Sequence, residues 1–279
     1  MNPFIYHKTL IMRRLLFSVV ILAASCQSPK ETPRFADMNW IDLTHSFDSS
    51  TIYWPNNLTG FQHKTDAEGI TPLGYFYSSY QIATPEHGGT HLDAPIHFAQ
   101  NGLTLDSIPL SSLTGNAVVI DVSGNALKDR DYLITIADVE AWEKEHGQIP
   151  NNTIVLFRTG YGQYYPDRKK VLGTDKYGVE AIAELHFPGV ASETTQWLLD
   201  KREIKAMGID TPSTDYGQSK DFKTHQVLHG KNRPGFENVA NLEKMPATGA
   251  YVVALPMKIG KGSGGPLRII AQIPALENE

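Results

Sequence analysis

The stretch "HGGTHLDAPIHF", from His87 to Phe98, places three of the chain's ten histidines and an aspartate among two glycines and a proline. His87, His91, Asp93 and His97 are separated by even numbers of residues, so an extended strand presents all four on one face. A straight strand would spread the first three over ~20 Å, whereas ligands of one ion sit roughly 2.0–2.2 Å from it. The chain must therefore curve if these side chains share a metal. Gly88 and Gly89 allow a backbone bend, and Pro95 opposes any helix through the segment. Two imidazoles and a carboxylate, with no thiolate, suit zinc or manganese at an open site rather than a closed structural one. A cation there lowers the pKa of water from ~15.7 toward ~7. His97 lies just beyond the ligands and is placed to carry the proton.

The rest of the chain reads as interleaved strands and helices. Strand character is expected in "NWIDLTHSF", in "GYFYSSYQIA" (74–83), "NAVVIDV" (116–122), "NTIVLFRTG" (152–160) and "IKAMGID" (204–210). "YVVALPMKI" (251–259) and "PLRIIAQI" (266–273) read as a terminal strand pair joined by "GKGSGG". Residues 135–147 read as a helix with Thr135 as N-cap, Asp138 three residues on and Gly147 at its end. Residues 192–203 read as a second helix capped by Ser192. Strands outnumber helices, which points to an α/β domain with a mixed sheet rather than a regular βα barrel. No repeat or linker divides it, so one domain is expected.

The N-terminal region has the layout of an export signal. Arg13 and Arg14 precede an apolar run from Leu15 to Ala24, too short to span a membrane comfortably. Small residues then lead directly into Cys26, the chain's single cysteine. "LAAS" followed by cysteine resembles the lipobox of bacterial lipoproteins, with translation starting at Met1 or Met12. That resemblance implies residues 1–25 as signal peptide, Cys26 as lipidated N-terminus, residues 26–36 as a polar tether and 37–279 as the folded domain. The protein would then be exported and lipid-anchored to a bacterial membrane, on the periplasmic or surface side. A lone cysteine leaves no disulfide within one chain. The formal net charge is −5, and removing residues 1–25 takes away Lys8, Arg13 and Arg14 but no acidic residue. Nucleic acid is therefore not an expected partner.

Aromatic residues cluster in "TIYWP" (51–55) and "GYFYSSY" (74–80). They suit core packing or a wall that stacks on a planar ring, with Trp54 and Tyr75 as substrate-contact candidates. Arg158 could clamp an anion or form a structural salt bridge. "GKGSGG" lacks the order of a phosphate loop and reads as a tight connection. No G-x-S-x-G elbow is present, which weighs against a serine nucleophile.

The pattern H-x-G-T-H-x-D-A-P-x-H resembles the signature of the metal-dependent cyclase family, whose members include kynurenine formamidases and isatin hydrolases. "IDLTHSF", "WPNN", "RTGY", "FPGV", "GIDTPSTD", "FENVANL" and "PMKIGKGSGGPLRIIA" extend the resemblance over most of the chain. It implies a swivelling β/β/α sandwich, usually homo-oligomeric, here a homodimer or homotetramer. It assigns His87, His91 and Asp93 as metal ligands and His97 as acid–base. His225 and Glu237, twelve positions apart, match the pair that holds a second ion in some members, with His229 a weaker competitor for His225. The implied cofactor is one or two Zn2+ or Mn2+ ions. The implied activity is hydrolysis of a non-peptide C–N bond in a small aromatic amide or lactam. The type reaction belongs to tryptophan breakdown, N-formylkynurenine to kynurenine and formate, with isatin opening close behind. A metal-dependent lyase or dehydratase and a non-catalytic surface binding protein are the rivals.

Overall fold

The computed structural model describes residues 39–273. The signal-like segment, Cys26 and the tether to residue 36 lie outside the described residues, as do the last six. In chain order the strands are β1 Asn39–Asp42, β2 Gln62–Ile70, β3 Phe76–Ala83, β4 His91–Asp93, β5 Thr114–Asp121, β6 Leu133–Ile134, β7 Ile154–Arg158, β8 Gly189–Val190, β9 Ala206–Ile209, β10 Gly235–Glu237, β11 Ala250–Pro256 and β12 Gly264–Ile273. The α-helices are α1 Leu110–Leu113, α2 Ser123–Ala126, α3 Ile136–His146, α4 Arg168–Leu172, α5 Ser192–Arg202 and α6 Lys223–Gly230.

β5, β7 and β9 are apolar on both faces because both faces are covered. Ala117, Val119, Ile154, Leu156 and Ala206 join one core, with Leu92, Phe236, Val252 and Ile269. The alternate residues Val118, Ile120, Val155, Phe157, Met207 and Ile209 join another, against Val139 and Trp142 of α3 and Leu198 of α5. The two-residue period of the strand divides each segment between the two cores. Phe157 is fully buried, and its truncation to alanine would cost about 3–5 kcal/mol.

These strands belong to one eight-stranded sheet of order β1-β12-β11-β5-β7-β9-β10-β4. β5, β7, β9 and β10 run parallel, and β11, β12 and β1 are antiparallel additions. β4 pairs antiparallel with β10 on one side and β12 on the other, which closes the sheet into a barrel-like arrangement. The expected mixed sheet of one α/β domain is therefore present.

Helix α3 begins as its sequence indicates: Thr135 accepts from the Asp138 amide, and the Asp138 carboxylate accepts from the Thr135 amide. The expected Ser192 cap is not formed. Ser192 is instead the first helical residue of α5, and Ala191 before it offers no side-chain cap. Glu193 in the first turn of α5 and Lys201 and Arg202 in the last suit its dipole. Arg202 grips Glu143 of α3 through two 2.6 Å bonds, tying the two helices together.

β2 and β3 form a separate two-stranded antiparallel arm. The strand over 74–83 was legible from its aromatic residues, but β2, "QHKTDAEGI", was not. Most of its side chains are exposed, so nothing selects an apolar alternation.

Candidate metal centre

The predicted curve lies at the two glycines. Gly88 and Gly89 have φ of 153° and 56°. A Cβ on Gly88 would lie 2.1 Å from the Tyr53 ring, and one on Gly89 would lie 2.9 Å from the Phe47 ring. The bend thus packs directly beneath aromatic side chains, and only glycine fits. After it, β4 carries His91 and Asp93 inward between β10 and β12. Glu237 stands directly opposite His91 in the β4–β10 ladder, within reach of its side chain. The short 3-10 turn Pro95–His97 then presents His97, and α6 supplies His225.

Asp93 is the hub. Its Oδ1 lies 2.6 Å from His87 Nδ1 and 3.2 Å from His91 Nε2. Its Oδ2 lies 3.1 Å from His225 Nε2. Glu237 closes the other side, with Oε1 3.1 Å from His225 Nε2 and Oε2 3.4 Å from His91 Nε2. His91, Asp93, His225 and Glu237 are all buried.

The outer hydrogen bonds determine which imidazole nitrogens carry protons. His91 Nδ1 faces the Gly89 carbonyl at 3.0 Å, which can only accept. His225 Nδ1 faces the Asp215 carboxylate at 2.6 Å. Ser263 donates its hydroxyl proton to Glu86, so its oxygen accepts from His87 Nε2 at 2.9 Å. The nitrogens left bare are His87 Nδ1, His91 Nε2 and His225 Nε2, and all three face the Asp93 and Glu237 oxygens. Lone pairs set against carboxylates at these distances call for a cation between them, so this donor set fits a divalent metal.

The electrostatics agree. Burial pulls the His91 imidazole down, but Asp93 and then Glu237 overcome it and raise its pKa to about 9. His225 is likewise driven well above its ordinary value, against burial, by Asp215, Asp93 and Glu237. Burial would raise Asp93, yet His87 and His91 hold it well below the usual carboxylate range. A proton thus occupies in part the place a metal would take.

His97 stacks on His87, with ring centroids 3.8 Å apart. Burial lowers its pKa to about 4, so it is neutral near pH 7 and able to accept a proton. Both residues line a cleft of about 240 Å³ whose floor is the carboxylate cluster. Trp54 forms part of its wall, with Phe222 6.0 Å from it and Phe98 5.5 Å from Phe222. Tyr75 does not line this cleft. It is 56% exposed beside the turn between β2 and β3, because the hairpin carries its aromatic residues away from the bend.

Several contributors were not legible as site residues. Phe98 and Phe222 complete the aromatic wall. Ser263 belongs to "GKGSGG", which is more than a connection: Ser263 touches His87, and a Cβ on Gly264 would lie 2.5 Å from the His87 ring. Asp215 and Glu86 act one bond further out. His229 is fully buried beside His225, ring centroids 5.4 Å apart, with neither ring nitrogen hydrogen-bonded; burial lowers its pKa to about 3. It does not reach the carboxylate cluster. Arg158 pairs with Asp121 at 2.6 Å in the parallel β5–β7 ladder, the structural alternative for that residue. "RTGY" wraps a buried carboxylate, since Thr159 and Gly160 donate their amides to Asp210.

Comparison with known proteins places this geometry. The Cyclase family profile matches residues 41–216. Isatin hydrolase of Roseibium aggregatum is 35% identical over 210 residues, covering 72% of this chain and 77% of that protein. Kynurenine formamidase of Salinibacter ruber is 28% identical over 237 residues, covering 84% and 97%. The crystal structure of an isatin hydrolase bound to the product analogue thioisatinate superposes with a TM-score of 0.78 at 30% identity, covering 86% of this chain and 94% of that one.

Proposed function

The chain belongs to the Cyclase family, and on that premise we propose that it is a metal-dependent hydrolase of an amide or lactam C–N bond on an aromatic ring. The observation that carries this reading is the convergence of three bare imidazole nitrogens and two carboxylates at the floor of an aromatic-walled cleft, with a neutral histidine beside them. His87, His91, Asp93, His225 and Glu237 would hold the cation, either one ion or two, with zinc and manganese both suited to the donors. When bound, the metal supplies a Lewis acid that polarises a carbonyl and makes water acidic enough to attack it at neutral pH.

The chain's own groups do the rest. Trp54, Phe98 and Phe222 pack the planar ring and exclude water from it. Asn238 lines the cleft, and its amide nitrogen is tied to the Gly89 carbonyl at 3.0 Å, which fixes that stretch of the wall. His97 takes the proton lost by the attacking water and returns one to the leaving nitrogen. One water is consumed, the C–N bond breaks, and a carboxylic acid and an amine result.

The test is metal analysis of the purified protein, followed by assay of the zinc- and manganese-loaded forms on N-formylkynurenine and isatin, with product masses. Addition of one water to either substrate supports the reading. Failure of both loaded forms on every aryl formamide and lactam tried would leave a binding protein. A product formed without water uptake would indicate a lyase.

We further propose that the chain is exported, that Cys26 carries the lipid that anchors it on the periplasmic or surface side of a bacterial membrane, and that it works as a homodimer or homotetramer. The Arg13–Arg14 pair, the apolar run and the small residues before Cys26 support the first two. Incorporation of labelled fatty acid that is lost in Cys26→Ser would check them. Among the described residues no helix is long and apolar enough to cross a membrane.

A further inference from the structure

We propose that the segment from Tyr161 to Gly178 clamps the aromatic wall of the cleft, with Arg168 as the positioning residue for Trp54. The aromatic ligand in this inference comes from the hydrolase reading above, whereas the clamp itself stands without it. Ile52, Tyr53 and Trp54 line the cleft, yet residues 52–55 belong to no strand or helix. Their peptide groups have no ladder to satisfy them and must find partners elsewhere.

Three of those groups find them in one segment. The Ile52 amide donates to Tyr165 Oη at 3.2 Å, the Tyr53 carbonyl accepts from Arg168 Nη1 at 2.9 Å, and the Pro55 carbonyl accepts from the Gly178 amide at 2.9 Å. On the other side, the Ile52 carbonyl accepts from the Gly89 amide at 2.9 Å. Gly89 is half of the bend that delivers the metal ligands, so the wall is pinned between that bend and the clamp. The side chains follow the same division. Ile52 is buried with Tyr161, Val171 and Leu172 in a third core, against which Trp54 and Tyr165 pack.

Arg168, near the start of α4, has the chemistry for this task. Its guanidinium lies 4.1 Å from the centroid of the Tyr177 ring, and Nη2 donates to the Lys176 carbonyl at 3.2 Å. One planar fork thus joins the wall to the loop that brings Gly178 against Pro55. Lysine carries a single ammonium on a flexible stem and cannot hold both carbonyls in that geometry. The Tyr53 carbonyl belongs to the peptide plane from which Trp54 continues, so fixing it fixes the direction in which the indole projects. Arg168 itself does not line the cleft. It acts through Trp54 on the ligand's ring and has no route to the cation, so ring affinity and metal affinity should respond differently to its loss.

Arg168→Lys in the metal-loaded full chain tests this, beside Lys169→Gln at the exposed neighbouring position. In Arg168→Lys the amides of Ile52 and Gly178 should exchange at least ~10-fold faster, with those of β5 and β7 unchanged. Thioisatinate, the product analogue held by the similar isatin hydrolase, should bind about 10-fold more weakly, with metal affinity within about two-fold of wild type. On any aryl substrate that turns over, KM should rise while kcat holds. Lys169→Gln should match the wild type throughout. Tyr165→Phe, which removes only the acceptor for Ile52, should speed exchange at Ile52 and spare Gly178. Wild-type exchange at Ile52 and Gly178 in Arg168→Lys would overturn the clamp. Exchange raised equally in β5 and β7 would also overturn it, making Arg168 a general stabiliser. Local exchange raised with thioisatinate affinity unchanged would overturn the positioning of Trp54. A wild type that binds no thioisatinate and turns over no aryl substrate would sink the hydrolase reading, and exchange at Ile52 and Gly178 would still decide the clamp.

Discussion

His91 and Glu237 face each other across the β4–β10 ladder, in register, with His91 Nε2 3.4 Å from Glu237 Oε2. The pairing is made by two strands of three residues each, and it brings a carboxylate to a histidine from a distant part of the chain. The Thr214 amide holds the other Glu237 oxygen at 2.7 Å, so its orientation does not depend on a ligand. Glu237→Gln keeps the shape and that hydrogen bond while removing the charge. It should weaken cation affinity at least ~10-fold, measured by chelator competition. Unchanged affinity would remove Glu237 from the ligand set.

His97→Asn should separate chemistry from metal binding. His97 lies against His87 but has no carboxylate contact like those of His91 or His225. The loaded variant should keep its metal while kcat falls about 10²–10⁴-fold, the usual worth of a positioned acid–base group. Turnover at the wild-type rate with metal retained would reassign the proton transfer.

The parts of this site legible in the sequence are those set by local geometry. Even spacing, two glycines and a proline indicated a bent ligand segment, and Gly88 and Gly89 bend it. Thr135 and Asp138 indicated a helix start for the same local reason. What the sequence leaves hidden is tertiary. β4 and β10 are too short for any periodicity to show. Ser263 reaches His87 only because β12 closes the sheet onto β4. Trp54 and Tyr75 have equally aromatic neighbourhoods, and only the outward path of the hairpin separates a cleft wall from an exposed arm.

The outer carboxylate on His225 should matter nearly as much as a ligand. Asp215 accepts from His225 Nδ1 and from the His225 and Thr224 amides, fixing both the tautomer and the start of α6. Asp215→Asn should weaken metal affinity about 10–100-fold with the fold retained. Ser263→Ala should act in the same direction through His87, since it removes the acceptor that keeps the proton on Nε2. Titration of metal into both variants checks this, and wild-type affinity in both would show that the tautomers are held by other means.

The bend itself can be tested with two alanines. Gly88→Ala drives a Cβ into the Tyr53 ring at a φ that side chains rarely adopt, combining overpacking with backbone strain at about 2–5 kcal/mol. Gly124→Ala in α2 meets open space and no such φ, so its stability should stay within about 1 kcal/mol of wild type. Denaturant midpoints of the two decide it. Equal midpoints would mean that the ring moves aside and that the bend tolerates a side chain.

The metal-free protein should be most stable near pH 6.5. In the folded chain the His91 pKa is raised to about 9, against an unfolded value near 6.5, so the folded state holds the extra proton between those values. Its contribution, on the order of 3 kcal/mol, is complete below pH 6.5 and is lost as pH rises to about 9. His225 acts in the same direction. His45, His97 and His229 act oppositely: burial lowers them to about 4, 4 and 3, so the unfolded chain takes up their protons first and stability falls below pH 6.5. A bound cation replaces the protons on the ligands, so the loaded protein should lose only the alkaline decline. The gain in Tm on adding metal should therefore grow from pH 6.5 to 9. Melting curves with chelator and with zinc or manganese measure it, and a metal-free Tm that stays level or rises over that interval would show that the cluster does not hold its protons as the geometry requires.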